Sequence, residues 1–228
     1  MKVFKNRDHA GELLAQKLKN KVKLGKRGLI LAIPRGGIPV AYKLAEELSI
    51  PLSIVVVRKL GLPWNEEAGF GAVDPDGETY LDEKTLKYVS LDRKTVEEVL
   101  KKELEELRKR EKKYIKEGYP NMKNREIIVV DDGIATGYTA IAAAGFAKKR
   151  GAKKVTVAVP VCPSDVFEKF VKYTDEVVCY YTCSEPSFAV GMFYEDFHQL
   201  SDEETFRYIK EAKRKQLFET GESNRELP

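Results

Sequence analysis

Two adjacent carboxylates, Asp131 and Asp132, stand in the run IIVVDDGIATGYT between Ile127 and Thr139. The β-branched residues before them, Ile127 to Val130, show no polar alternation, the pattern of a strand buried on both faces in a parallel sheet. Both acids therefore fall at the strand's carboxyl end, where open α/β sheets hold their ligands. Gly133 and Gly137 allow a tight backbone path beyond them. The N–H groups of Ala135, Thr136, Gly137, Tyr138 and Thr139, backed by the start of a helix running from Thr139 to Arg150, can then cradle a phosphate. Carboxylates that accept hydrogen bonds from hydroxyls, beside amides that hold a phosphate, suit a phosphorylated sugar. The bland alternative is an ordinary βα turn with a capped helix, but a cap needs one acid rather than two. No Walker phosphate-loop signature occurs anywhere in the chain.

A second strand–glycine loop–helix unit lies upstream. Arg27 to Ile33 reads as a buried strand stopped by Pro34, and Ile38 to Leu48 as a helix carrying Val40, Ala41, Leu44 and Ala45 inward. Between them, PRGG offers Arg35 as a cation. Gly36 and Gly37 permit backbone conformations that leave their N–H groups facing an anion. Ser53 to Arg58 reads as a third apolar strand, with Arg58 and Lys59 at its end. Two cations there would neutralise a di- or triphosphate; a pair of solvated surface charges fits the same residues equally well.

Together these stretches resemble the type I phosphoribosyltransferases. VVDDGIATG resembles that family's ribose-phosphate motif, in which two acids and a short Gly/Thr loop grip phosphoribosyl pyrophosphate (PRPP). PRGG stands where the family's pyrophosphate loop stands. A third stretch, PSFAVGMFYEDF from Pro186 to Phe197, resembles the base-binding segment of the members acting on 6-oxopurines. The resemblance implies an α/β fold, a parallel sheet flanked by helices with a small C-terminal hood. It also implies magnesium-dependent transfer of the 5-phosphoribosyl group of PRPP to a nitrogenous base, with release of pyrophosphate.

By that resemblance, Asp131 and Asp132 accept hydrogen bonds from the ribose hydroxyls, and Arg35, Gly36 and Gly37 hold the leaving pyrophosphate. Gly133, Ala135, Thr136, Gly137, Tyr138 and Thr139 surround the 5-phosphate. Phe188 stacks on the base, Val190 offers a main-chain contact beside it, and Glu195 is the acid on the metal side. The bland alternative is that Phe188, Phe193, Tyr194 and Phe197 form an aromatic cluster over the end of the sheet, a reading that fits Phe193 and Phe197 equally well. One departure concerns the base. The 6-oxopurine members place a Lys after the preceding strand, where this chain has Pro160, Val161 and Cys162, so the acceptor stays open. Neither His9 nor His198 is placed as a general base, which leaves positioning and electrostatics to do the catalysis. Two other readings fit the same fold: a regulator that senses PRPP or a nucleotide without turnover, and an enzyme acting on another ribose phosphate.

The elements that must position these residues are expected in one domain, 1–228. It carries an insertion at 61–119 and a polar, frayed tail at 217–228. Within the insertion, Phe70 to Val73 and Thr79 to Leu81 bracket DPDG as a β-hairpin, and Leu91 to Glu117 has the apolar stripe of a long helix. Trp64 and Phe70 are costly to leave bare, which marks the loop carrying them as functional. Asp8 to Asn20 is a helix with Asp8 as its cap. Lys154 to Val159, Ser164 to Lys172 and Glu176 to Tyr181 read as strand, helix and strand. Ser201 to Lys215 is a last helix opened by a Ser201/Glu204 capping box. Forty basic against thirty-six acidic residues leave a net charge of +4, too mild and too evenly spread for nucleic acid. Three cysteines without a CxxC pair favour a reducing compartment. With no signal peptide and no apolar run of membrane length, the expectation is a soluble, cytoplasmic protein acting on small molecules. The amphipathic helix adds a homodimer to the expectations.

Overall fold

The computed structural model describes residues 2–19, 21, 27–185 and 187–221, without the side chains of residues 66 and 67. Asn20 of the first expected helix, Pro186 of the base-side stretch and residues 222–228 of the expected tail lie outside the described residues.

Strands β1 (Gly28–Ala32), β2 (Leu52–Ile54), β6 (Glu126–Val130), β7 (Lys154–Pro163) and β8 (Glu176–Cys183) form one sheet in the order β2-β1-β6-β7-β8. Every neighbouring pair is parallel. Parallel neighbours need crossovers that cover the sheet, and both faces are covered here. Leu29, Leu31, Ile127, Val129, Val155 and Val157 pack toward helix α5 (Tyr138–Lys149). Their alternates Ile30, Ala32, Ile128 and Val130 pack with the apolar sides of α1 (Arg7–Lys19), α2 (Gly37–Leu48) and α7 (Asp202–Arg214). Burial of both alternating sets is why these strands read as unbroken apolar runs.

The insertion forms a second, antiparallel sheet of β3 (Arg58–Leu62), β4 (Asn65–Val73) and β5 (Thr79–Leu81), then α3 (Glu83–Tyr88) and α4 (Arg93–Tyr114). The β4–β5 hairpin pairs Gly71 with Leu81 and Val73 with Thr79, as the DPDG turn leads one to expect. Asp74 holds the turn, its carboxylate accepting the N–H groups of Asp76 and Glu78, each at 2.9 Å. The insertion starts earlier than expected. The strand β2 stops at Ile54, and Arg58 and Lys59 open β3 instead of ending a strand of the main sheet, because they pair with Val73 and Ala72. Phe70 is buried in the core, whereas Trp64 stays 65 % exposed at the turn between β3 and β4.

Other boundaries differ for local reasons. α1 is capped by Asn6, whose Oδ1 accepts the His9 N–H at 2.9 Å, while Asp8 accepts the Tyr208 hydroxyl. β7 and β8 run longer than expected, to Pro163 and Cys183, and the helix expected from Ser164 is instead a 3-10 turn (Ser164–Val166) followed by one turn of α6 (Phe167–Phe170). The α7 capping box forms as read. The expected tail corrects more substantially, because residues 217–221 are docked. The Leu52 N–H donates to the Leu217 carbonyl at 2.7 Å and the Glu219 N–H returns to Leu52 at 2.9 Å. β2 is an edge strand with unpaired main-chain groups, and this segment covers them. Among the described residues, no helix is long and apolar enough to cross a membrane.

Candidate active site

The two glycine loops meet at the carboxyl ends of β1 and β6. The Ile33 N–H donates to the Val130 carbonyl at 2.9 Å, and the Gly37 N–H donates to Ile33 at 3.0 Å. These bonds lay PRGG directly on VVDD. A Cβ on Gly36 would sit 2.0 Å from Oδ2 of Asp132, and one on Gly37 would sit 2.6 Å from the Val130 carbonyl oxygen. Only glycine fits so close an approach. The Pro34–Arg35 peptide is cis.

The two acids occupy different settings. Oδ2 of Asp132 accepts Nε–H of Arg7 at 2.8 Å, with the side chains 9 % (Arg7) and 15 % (Asp132) exposed. Arg7 also donates to the His198 carbonyl at 2.9 Å and lies 4.1 Å over the ring centroid of Phe197. The Tyr194 hydroxyl donates to the Asp132 carbonyl oxygen at 2.6 Å. Asp131 receives the Asp132 N–H at 2.9 Å and pairs with no cation among the described residues. Burial, then the charge of Asp132, push the Asp131 carboxyl well above the usual range. Burial also raises Asp132, against the opposing pull of Arg7. Asp132 is thus tied into the fold by a cation, whereas Asp131 is held only by the Asp132 N–H among the described residues.

Beyond the acids, the Ile134 N–H donates to the Val161 carbonyl at 2.9 Å, and Val190 roofs Gly133. Gly137 turns the chain with φ +90°, a conformation that favours glycine. The first regular bond of the following helix is Ile141 N–H to the Gly137 carbonyl. From Ala135 to Thr139 no backbone N–H donates to an acceptor among the described residues. Backbone N–H groups without a protein acceptor at a helix start are suited to receive an anion. Tyr138 contributes only its backbone there, since its hydroxyl bonds to Asp82 at the start of α3.

A cleft of about 490 Å³ opens next to the cradle, lined in part by Ala135, Thr136, Asp165, Lys169, Glu185 and Phe188. Lys169 Nζ donates to the Thr136 carbonyl at 3.4 Å. Phe188 is half-buried at this cleft, 5.3 Å from the Phe193 ring. Phe193 and Phe197 belong to an aromatic cluster with Phe4, Tyr181 and Tyr194. The chain's start completes the hood, because Val3 and Phe4 both donate to the Phe193 carbonyl at 2.9 Å. A larger cleft of about 660 Å³, beside Arg108, Tyr119 and Arg150, contains none of these residues.

The remaining candidates spread outward. Arg35 turns to Asp202 at 3.7 Å, Arg58 pairs with Glu103 at 2.7 Å, and the Lys59 stem lies against Gly69. The Glu195 side chain is exposed, and among the described residues no three potential ligands gather as a metal site. The structure therefore does not bring Glu195 together with Asp131 and Asp132. Magnesium fits these residues in one way only, as an ion that keeps water and substrate phosphates and takes one or two carboxylates. One residue of the site went unread in the sequence: Arg7 has no local signal linking it to Asp132. Tyr194 joins the aromatic cluster read at the end of the sheet, but its bond to the Asp132 carbonyl had no local signal.

The phosphoribosyl transferase domain family matches residues 4–196, and the chain belongs to that family. It is 42 % identical over 218 residues to two Mycobacterium tuberculosis proteins (strains CDC 1551 and H37Rv) named provisionally as phosphoribosyl transferases. The alignment takes in 94 % of this chain and 48 % of theirs, so the chain spans about half the length of these curated relatives. The crystal structure of TT1426 from Thermus thermophilus is 35 % identical, with a TM-score of 0.73 over 92 % of this chain and 98 % of that one.

Proposed function

We propose that this protein transfers the 5-phosphoribosyl group of PRPP to a nitrogenous base and releases pyrophosphate. The observation that carries this reading is the run of N–H groups from Ala135 to Thr139 that find no acceptor among the described residues, beside an Asp131 carboxylate that finds no cation among them. A 5-phosphate seats in that cradle, and the ribose hydroxyls then fall to Asp131. Asp132, fixed by Arg7, holds the acid pair and the PRGG loop in register. Arg35 and the main chain of Gly36 and Gly37 receive the diphosphate, which stabilises the departing charge as the anomeric carbon becomes cationic. Magnesium supplies further neutralisation of that diphosphate when bound. Phe188 offers a ring face to the base across the neighbouring cleft. His198 is engaged by Asp196 and Glu204 at 2.8 and 2.9 Å, which supports catalysis by positioning instead of a histidine base.

The test has two readouts. Thermal stability is measured with magnesium against PRPP, pyrophosphate, ribose 5-phosphate and the nucleoside monophosphates. A ligand at ~100 times its dissociation constant adds about 2.7 kcal/mol. Pyrophosphate release from PRPP is then followed with each purine and pyrimidine base. Stabilisation by PRPP together with base-dependent release supports the transferase. Stabilisation without release from any base moves the protein to a sensor of PRPP, and a response to ribose 5-phosphate alone moves it to another ribose phosphate.

A further inference from the structure

The insertion helix α4 turns one side to the core and leaves another uncovered. Of its 22 residues, Glu103, Leu107 and Tyr114 are buried. Val96, Leu100 and Leu104 touch the core but stay half-buried. Leu100 and Leu104 share an open groove of about 410 Å³ with Glu97, Lys101, Glu105 and Arg108. One turn before Leu100, Val96 lines a second groove of about 500 Å³ with Leu86 and Leu91 of the α3 region. The two grooves form a continuous apolar strip with a charged rim, the anatomy of a protein interface.

The order of charge along this strip selects what fits it. At 3.6 residues per turn, Leu100 and Leu104 lie on one side, Lys101 and Glu105 on the other, and Glu97 and Arg108 between them. A second copy of α4 laid antiparallel, about a two-fold axis near Lys102, brings Leu100 to Leu104 of that copy. The same operation sets Glu97 against Arg108, Lys101 against Glu105 and Arg93 against Glu111, and symmetry makes each contact twice. Arg93–Glu97 at 2.9 Å and Arg108–Glu111 at 2.6 Å are already ion pairs within the helix. Across the axis these pairs meet as four charges of alternating sign. Lys94 falls opposite Lys112, a like-charge pair of exposed side chains that water screens. A parallel pairing would instead set Glu97 on Glu97 and Arg108 on Arg108, which repels.

We infer that this strip is a self-association surface, on which two copies of the chain pair through antiparallel α4 helices. The inference is independent of the ligand contacts proposed above. Glu103, which holds Arg58 at 2.7 Å, is on the buried side of the helix, so pairing leaves that contact intact. A helix of this length is about 33 Å long and about 10 Å wide, roughly 330 Å² of face. A standard interface takes ~800 Å² from each partner. Even with the α3 groove added the contact is small, so the dimer should be reversible and form at micromolar concentrations.

The experiment is sedimentation velocity of the full chain from about 1 to about 200 μM. It compares the parent with Lys101→Glu, Glu105→Lys, Leu100→Lys and the double variant Lys101→Glu/Glu105→Lys. Lys101 and Glu105 are exposed, so their exchange leaves the fold intact, which urea unfolding of the dilute proteins checks. The parent should pass from one chain to two across the range. Each single charge reversal should weaken the dimer about tenfold or more, because two contacts turn from attraction to repulsion. The double variant should recover most of that loss, and Leu100→Lys should abolish the dimer. A parent that stays a single chain throughout overturns the inference and leaves the strip to a different protein. A dimer indifferent to Lys101→Glu and Leu100→Lys overturns it by placing the contact elsewhere. A double variant no better than the single ones overturns the antiparallel pairing.

Discussion

Gly36 touches Asp132 so closely that a Cβ on the glycine would lie 2.0 Å from Oδ2 of the acid. That oxygen cannot swing aside without breaking its 2.8 Å bond to Arg7. Gly36→Ala therefore forces apart the PRGG loop and the acid pair. Overpacking of this kind costs about 1–3 kcal/mol. We expect a lower urea midpoint and loss of both PRPP and pyrophosphate binding in titrations. Unaltered PRPP affinity in Gly36→Ala would mean that the contact between the two loops is irrelevant to ligand binding.

Arg7 is the partner of an acid with little access to water. Removing one member of a buried pair costs roughly 3–5 kcal/mol, and the small remaining exposure puts Arg7→Met near the lower end. Arg7 opposes the upward shift of Asp132, so in the variant the folded-state carboxyl titrates higher still. Its charged form is then penalised more, and the stability gap between variant and parent should widen as pH rises through the carboxylate range. Chemical denaturation at several pH values measures this. Asp132→Asn added to Arg7→Met should recover part of the loss, and a strictly additive double variant would show that the pair does not interact.

Asp131 behaves differently because no cation pairs with it directly among the described residues, and the field of Arg7 only partly offsets its burial. Its folded-state pKa is raised by burial and by Asp132, so between the unfolded and folded values the native state binds more protons than the unfolded one. Stability must then fall as pH rises through that window, and the penalty is complete only above the folded-state value. Asp131→Asn should flatten this fall and leave the ligand-free protein at least as stable at pH 7. The same substitution should strongly weaken ribose 5-phosphate, because the acceptor for its hydroxyls is lost. A variant that is destabilised at neutral pH yet binds ribose 5-phosphate normally would overturn this division of labour between the acids.

The local features of this site were legible in the sequence, and its long-range partners were not. IIVVDDGIATG announces a doubly buried strand, a carboxyl-end site and a glycine turn, because each depends on residues within one turn of chain. The same holds for the β4–β5 hairpin and the α7 capping box. Arg7 and Asp132 are 125 residues apart, and nothing in a helix's first turn signals an ion pair across the sheet. Arg58 and Lys59 read as the end of a main-sheet strand because IVVVRKL carries no break between β2 and β3; the pairing with β4 sets that boundary. The docked segment at residues 217–221 opens a stretch that reads as a polar tail, and what fixes it is distant in sequence: the open edge of β2, Arg125 on Glu219 and the Gly118 carbonyl.

Phe188 tests the base side independently of the phosphate side. It is half-buried beside the cleft next to the cradle and also leans on Phe193. Both a stacking role and a packing role therefore fit its position, and they part company on substitution. Stacking of a base on an aromatic ring is worth about 1–3 kcal/mol, so Phe188→Ala should weaken the best nucleoside monophosphate by roughly five- to 150-fold. Ribose 5-phosphate lacks a base and should bind as before, since Asp131 and the Ala135–Thr139 amides proposed to hold it are unchanged. A packing role predicts the reverse, a lower unfolding midpoint with nucleotide and ribose 5-phosphate affinities moving together. Parallel titrations of the two ligands against Phe188→Ala decide between them: equal weakening of both, or of neither, would remove Phe188 from the base site.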